Sequence, residues 1–288
     1  MTPLALPPGS RLPDHAIWIN GRIVRGDEAA LSVFDRGARD GGGIFETLRV
    51  EGGRPAAWDR HLERLVLSAA ELGFPVPPAP SRLRAGVDEL LAASALEDAV
   101  VRLTVTRGIP GGRPTRAGAW IEAEPLAGRL WAGTRQSAGS AIMSRTPFET
   151  GWIGRHKTTS RLAWDLAREE ARAVGVDEAL LVGRSGHVLE GAASNVFVTR
   201  DGEVWTPPLS ADVLPGVTRA LVFALCAELE IPCGERMLGL AEIRAADEIF
   251  LTNSVQEVLP LAMLEGHPVR GRELGLKLLA AYRERMKS

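Results

Sequence analysis

The chain is expected to be an α+β protein of two domains, on three observations. Its 288 residues exceed what one modest core needs. Apolar and polar residues alternate in short runs bounded by turn signals in both halves, as in antiparallel strands. Four longer segments carry apolar residues at helical spacing, grouped between the strand runs. The spacing predicts a smaller N-terminal α+β domain over 1–127. A larger strand-rich domain with outer helices is expected over 128–288, the boundary falling near the crossing segment "EPLAGRLWAGT".

The elements follow in order. "AIWINGRIV" is two apolar runs about Asn20-Gly21, the strongest short hairpin signal, and "GGIFETLRVEGGRPAAW" repeats the pattern about Gly52-Gly53. Helical periodicity takes over in "WDRHLERLVLSAAELG", ending at Gly73, and in "SRLRAGVDELLAASAL", where Ser81 is the expected N-cap. "PVPPAP" between them reads as a rigid turn. "AVVRLTVTRG" and "AWIEAEPL" return to strand alternation. In the second half "TSRLAWDLAREEARAVG" reads as a helix stopped by Gly175. "EALLVGRSGHVLEGAASNVFVTRDGEVWTPP" reads as strands turning at Ser185-Gly186 and Asp201-Gly202. "GVTRALVFALCAELEI" is a helix, and "DEIFLTNSVQEVLPLAML" is two strands about a polar turn.

Composition narrows the function. Lys and Arg total 34 against 36 Asp and Glu, interspersed, so no nucleic-acid or anionic-membrane surface is marked and a small-molecule partner is expected. No apolar run approaches the roughly 18 residues of a membrane span, and the proline-rich start lacks a basic segment before an apolar core. Cys226 and Cys233 have neither metal nor disulfide-framework spacing, so no metal is expected. A reduced cytoplasm fits.

Chemistry concentrates in four places. "RHKTTSRL" holds Lys157, one of few lysines in a chain whose positive charge is mostly arginine. Arginine stays protonated, whereas lysine can attack a carbonyl or accept a proton. "LPGVTRAL" puts Val217 and Thr218 at a helix start, where free amides attract an anion. "FLTNSVQE" offers Ser254 at a strand end. "HVLEGAASNVFV" places Glu190 and Asn195 among small residues that let a flat ligand approach. Each alone is ordinary: a solvated lysine, a glycine turn, a polar loop, a surface acid.

Together, and in this order, "INGRIV", "FDRG…GGGIFETLRV", "RHLERL", "RLTVTRG…GGR", "HKTTSRL", "EGAASNVFV", "VLPGVTRAL" and "DEIFLTNSVQEVLP" make the chain resemble the class IV, fold-type IV pyridoxal-phosphate enzymes over nearly its whole length. That family comprises branched-chain aminotransferases, D-amino-acid aminotransferases and 4-amino-4-deoxychorismate lyases. The resemblance implies a small N-terminal sandwich, a larger pseudo-barrel and a homodimer. It implies that Lys157 holds pyridoxal 5'-phosphate covalently and shuttles the substrate proton, and that Glu190 faces the pyridine nitrogen. The phosphate falls to Arg60, to Val217 and Thr218, and to Ser254, with Asn195 ordering the strand about Glu190. "TRGIPGGRP" and "KTTSRL" look more like the lyases. The expected reaction is therefore conversion of 4-amino-4-deoxychorismate to 4-aminobenzoate and pyruvate, a step of folate biosynthesis, with Arg107, Arg113 and Arg161 binding the substrate carboxylates. A transaminase of D-amino or branched-chain amino acids is the alternative, and a catalytically silent binding subunit the third reading. Asp40, and Gly42 where many relatives carry an acid, depart from all three family patterns.

Overall fold

The computed structural model describes residues 15–111 and 117–287. The chain forms two compact units, one of residues up to Arg129 together with Lys157–Ser160, the other of Leu130–His156 and Arg161–Ser288. The return of four residues around Lys157 to the first unit was not indicated by sequence periodicity.

The first unit is a six-stranded sheet of order β2-β1-β6-β5-β3-β4, antiparallel at every pairing, from β1 (Ile17–Ile19), β2 (Arg22–Val24), β3 (Gly43–Glu51), β4 (Arg54–Pro55), β5 (Ala99–Thr106) and β6 (Gly118–Pro125). Asn20 and Gly21 both take positive φ, 48° and 102°, as the two-residue hairpin requires. A short helix α1 (Arg36–Asp40) precedes β3, and α2 (Trp58–Glu71) and α3 (Pro80–Ser94) follow it. Leu62 and Leu65 of α2 and Leu83, Val87 and Leu90 of α3 close over Val101, Leu103, Val105 and Ile121. The alternation of β5 and β6 is thus the core face of the sheet. α3 begins two residues earlier than expected: Ala79 is its N-cap and Pro80 its first residue, so Ser81 lies inside the first turn. Proline suits that position because its missing N–H has no partner there in any helix.

Gly86 shows how closely α3 packs. A Cβ there would lie 2.7 Å from Trp18 Cε2 and 3.0 Å from Ile121 Cδ1. Gly86→Ala is expected to destabilise despite the roughly 1 kcal/mol gained in helix propensity, because overpacking a tight core costs about 1–3 kcal/mol. A urea midpoint equal to or above wild type would contradict this packing.

The second unit is a ten-stranded mixed sheet. It comprises β7 (Gly139–Met143), β8 (Glu178–Val182), β9 (His187–Gly191), β10 (Asn195–Arg200), β11 (Glu203–Thr206), β12 (Cys233–Glu235), β13 (Leu238–Gly239), β14 (Glu248–Asn253), β15 (Glu257–Leu264) and β16 (His267–Pro268). Its order is β12-β11-β10-β14-β15-β7-β8-β9-β13, with β16 on β15. Around it lie α4 (Leu162–Ala173), α5 (Val217–Glu228), α6 (Leu240–Ala245) and α7 (Glu273–Lys287). Period-two side-chain direction explains why these strands are apolar throughout. Leu180, Val196, Val198 and Leu251 enter one core, while Ala179 and Leu181 face Trp164, Ala167 and Ala171 of α4. Phe197 stacks on Phe250 at 4.9 Å.

α4 starts at Leu162, three residues later than its periodicity predicts. The preceding threonines are held extended by pairing with β3, described below. Among the described residues no helix is long and apolar enough to cross a membrane. Cys226, which is buried, and Cys233 are free cysteines.

Candidate functional site

Within the first unit the Lys157 segment lies against the start of β3. Phe45 N donates to the Lys157 carbonyl at 2.8 Å, Ile44 bridges Thr158, and Thr159 N donates to the Gly43 carbonyl at 2.8 Å. Thr159 Oγ1 also donates to the Gly41 carbonyl at 2.9 Å. The glycine run makes this approach possible. Gly41 takes φ 65° as the C-cap of α1, and a Cβ on Gly43 would stand 2.8 Å from Thr159 Oγ1. The Lys157 ammonium nitrogen lies 4.6 Å from the centroid of the Phe45 ring. The residue after Phe45 is Glu46, whose side chain is 1% exposed.

Glu46 is the centre of a buried charged cluster. Arg64 donates to both its oxygens, Nε to Oε1 at 2.8 Å and Nη2 to Oε2 at 2.6 Å, and His61 Nδ1 lies 2.7 Å from Oε2. Burial alone would push this carboxyl up, but the Arg64 guanidinium and the His61 hydrogen bond hold it down at about 2. His61 is pushed below its ordinary value, chiefly by burial, with the Arg64 and Lys157 charges adding to the effect against Glu46. Arg60, by contrast, is exposed. Arg64, one helical turn further along α2, is the arginine that enters the cluster. The signal was present in the apolar stripe of α2: Leu62, Leu65 and Ala69 are buried, and His61 with them.

A depressed carboxyl makes a prediction with a defined sign. The unfolded chain binds the Glu46 proton near the usual 4.5, the folded chain only near 2, so this contribution is complete above about 4.5 and disappears as pH falls toward 2. Glu46→Gln is expected to flatten the loss of stability in that window, read by thermal melting. An acid limb identical in the two proteins would rule the contribution out.

Two of the three arginines expected to bind substrate lie among the described residues. Arg107 Nη2 donates to the carbonyls of Leu72 and Gly73, both at 2.9 Å, and its guanidinium lies 5.4 Å from the centre of the Phe74 ring. It caps the end of α2. Arg161 Nη2 donates to the Ala192 carbonyl at 2.7 Å and lies 5.3 Å from the Trp164 ring. Arg113 falls outside the described residues. Asp40 forms exposed ion pairs with Arg36 and Arg39, and Gly42 serves the backbone, accepting from Arg107 N at 3.0 Å.

Within the second unit Glu190 is buried near the end of β9 and accepts three donors. Trp164 Nε1 meets Oε1 at 3.2 Å, while Leu214 N at 3.0 Å and Asn195 Nδ2 at 3.4 Å meet Oε2. Asn195 Nδ2 donates to the Leu214 carbonyl as well, at 3.0 Å. α5 opens at Val217 from Gly216 without a side-chain cap, so its first amides have no acceptor within the helix. Val217 and Thr218 are buried there. A Cβ on Gly216 would fall 2.0 Å from Asn195 Oδ1, which ties the helix entry to Asn195. Ser254 stands in a turn built by Asn253, whose Oδ1 accepts from Val255 N at 2.9 Å and Gln256 N at 2.7 Å. Thr252, paired in register with Asn195, buries a hydroxyl with no hydrogen-bond partner. An orphaned buried donor of this kind invites a ligand.

Comparison with known proteins gives a consistent family. The model of amino-transferase class IV matches residues 43–264. A protein described as a putative branched-chain-amino-acid aminotransferase of Methanocaldococcus jannaschii is 33% identical over 267 residues, covering 90% of this chain and 91% of that one. A D-alanine aminotransferase of Listeria innocua is 30% identical over 269 residues, with the same coverage. Among solved structures, the branched-chain aminotransferase of the archaeon Thermoproteus uzoniensis with norvaline superimposes with a TM-score of 0.84 at 29% identity, covering 94% of this chain and 94% of that one. A putative 4-amino-4-deoxychorismate lyase of Legionella pneumophila gives 0.80 at 24% identity, covering 88% and 95%, a likeness of fold alone. These relatives favour the transaminase alternative over the lyase expected from the sequence.

Proposed function

We propose that this chain, which belongs to the class IV aminotransferases, moves the amino group of an aliphatic amino acid, D-alanine-like or branched-chain, to a 2-oxo acid. Its cofactor is pyridoxal 5'-phosphate. The observation that carries the reading is Glu190: a buried carboxylate with three donors fixing its two oxygens is a prepared partner for a protonated ring nitrogen. The residues fit the group. The uncapped first turn of α5 and the partnerless Thr252 hydroxyl supply donors to an anion, and Ser254 adds a hydroxyl from its turn.

When bound, the cofactor supplies an electron sink for the substrate carbon that loses its proton. Lys157 would hold the group covalently and, as general base, would move the proton of the substrate carbon. Glu190 would keep the pyridine nitrogen protonated. Val217 and Thr218 would donate to the phosphate through their amides and the Thr218 hydroxyl. For the cationic contact to phosphate we assign Arg64 in place of Arg60: its guanidinium carries five N–H donors, Glu46 accepts from two of its nitrogens, and it joins His61 in the cluster on which the Lys157 charge bears.

Substrate choice follows from what the arginines already do. Arg107 and Arg161 each give Nη2 to backbone carbonyls at a helix end and in a turn, which supports structural roles for both. A monocarboxylic amino acid needs neither. The test is a product panel: L-leucine, L-valine, L-isoleucine and D-alanine, each with 2-oxoglutarate or pyruvate, beside aminodeoxychorismate alone. Turnover of an amino acid that requires the oxo acid is expected. One-to-one formation of 4-aminobenzoate and pyruvate from aminodeoxychorismate without any acceptor, with the amino acids inert, overturns the reading in favour of the lyase. We also propose that the enzyme is a cytoplasmic homodimer, to be checked by sedimentation equilibrium.

A further inference from the structure

A second carboxylate lies under the turn that carries Glu190. Glu178, the first residue of β8, is 1% exposed. Its Oε2 accepts from Ser194 Oγ at 2.8 Å and from Ala193 N at 3.0 Å, and its Oε1 from Ala179 N at 3.1 Å. Ala193 and Ser194 belong to the tight connection 191–195 between β9 and β10. The connection is closed on itself by Gly191 N donating to the Ser194 carbonyl at 2.7 Å, and tied to β8 by Ala192 N donating to the Ala179 carbonyl at 2.9 Å. There is no space for a side chain at its first residue: a Cβ on Gly191 would stand 2.2 Å from Ser194 Oγ and 2.9 Å from Glu178 Oε2.

The chemistry of this clamp requires an acid. A carboxylate accepts at both oxygens and donates nothing, whereas a glutamine in its place presents an NH2 to one of the same N–H or O–H donors. Burying an acid is costly unless it is well hydrogen-bonded, so three donors converging on one carboxylate mark a constructed feature. What the clamp holds is not only the turn. Glu190 immediately precedes it and Asn195 ends it, and Asn195 reaches both Glu190 Oε2 and the Leu214 carbonyl and abuts Gly216 at the start of α5. One connection therefore sets the acid proposed for the ring nitrogen and the entry to the helix proposed for the phosphate.

We propose that Glu178 is a positioning residue for this site: by clamping the 191–195 connection from beneath, it fixes the orientation of Glu190. The inference rests on the assignment of Glu190 made above. Residues that orient a functional group from behind alter affinity or rate about 10–100-fold when changed, as outer-shell partners of metal ligands do.

The test compares wild type, Glu178→Gln, Glu190→Gln and the double variant. Each is measured for kcat with the productive amino acid, for cofactor dissociation by equilibrium dialysis, and for amide exchange at 191–195 in the cofactor-free protein. Glu178→Gln is expected to lower kcat about 10–100-fold, to weaken cofactor binding, and to speed exchange within 191–195 while the melting temperature of the cofactor-free protein changes little. The double variant is expected to be no worse than Glu190→Gln, because residues that act as one unit do not add. Losses that multiply in the double variant, or a Glu178→Gln protein indistinguishable from wild type while Glu190→Gln is impaired, overturn the inference. A silent Glu190→Gln overturns instead the assignment of Glu190. Should Glu178→Gln fail to fold, Ser194→Ala keeps the carboxylate and removes one donor. It must then show a smaller loss in the same direction, again absent when Glu190→Gln is already present, or the inference fails.

Discussion

Lys157→Ala is expected to abolish turnover while the protein melts as wild type does. The backbone contacts explain the second half: the Lys157 carbonyl accepts from Phe45 N, and Thr158 and Thr159 pair with β3, none of which involves the lysine side chain. The first half follows because one amine supplies both covalent attachment and proton transfer. Loss of general acid–base help alone is worth roughly 10²–10⁴-fold, and the covalent role adds to it. Borohydride should fix the cofactor to wild type at Lys157 and to nothing in the variant. Near wild-type kcat in Lys157→Ala, with no amine added, would show that a different lysine is used.

Arg64→Ala is expected to be the most damaging substitution on α2 and Arg60→Ala to be nearly silent. Glu46 is fully buried and answered by Arg64 through two short bonds, so removing the guanidinium leaves a buried acid with His61 alone. Breaking a buried pair from one side costs about 3–5 kcal/mol. Arg60 lies exposed, and surface substitutions of that kind stay within about 0.5 kcal/mol. Urea unfolding of the cofactor-free proteins reads the stability difference, and dialysis of the loaded proteins reads cofactor retention, where Arg64→Ala should again be the weaker. If Arg60→Ala releases the cofactor and Arg64→Ala keeps it, the assignment made from the first unit is reversed.

How far the site could be read in advance depends on how local its determinants are. Glu190, Val217, Thr218 and Ser254 could be proposed from the sequence because each belongs to a strand end, helix start or turn with its own local chemistry. The helix start at Val217 and the hairpin joining β14 to β15 came out where the pattern put them. Arg64 was not legible. A helical period marks which side of α2 is buried, but only the partner strand shows that the buried side holds Glu46, eighteen residues away, and that Arg64 rather than Arg60 meets it. The surroundings of Arg107 and Arg161 were equally hidden in the sequence. Arg107 and Arg161 face carbonyls at a helix end and in a turn, acceptors that exist only after the chain has folded.

The division has one physical cause. Periodicity, capping residues and turn glycines act over a few residues, so the strands, most helices and the chemical types at the site are already decided along the chain. That Thr159 leaves its helical pattern to pair, with Thr158, against β3, that Lys157–Ser160 joins the first unit, and that Glu178 comes to lie under the turn beside Glu190 are decided by hydrogen-bond partners distant in sequence. A backbone amide or a buried carboxylate must be satisfied by whatever group the fold brings to it. The identity of that group is a property of the tertiary structure alone.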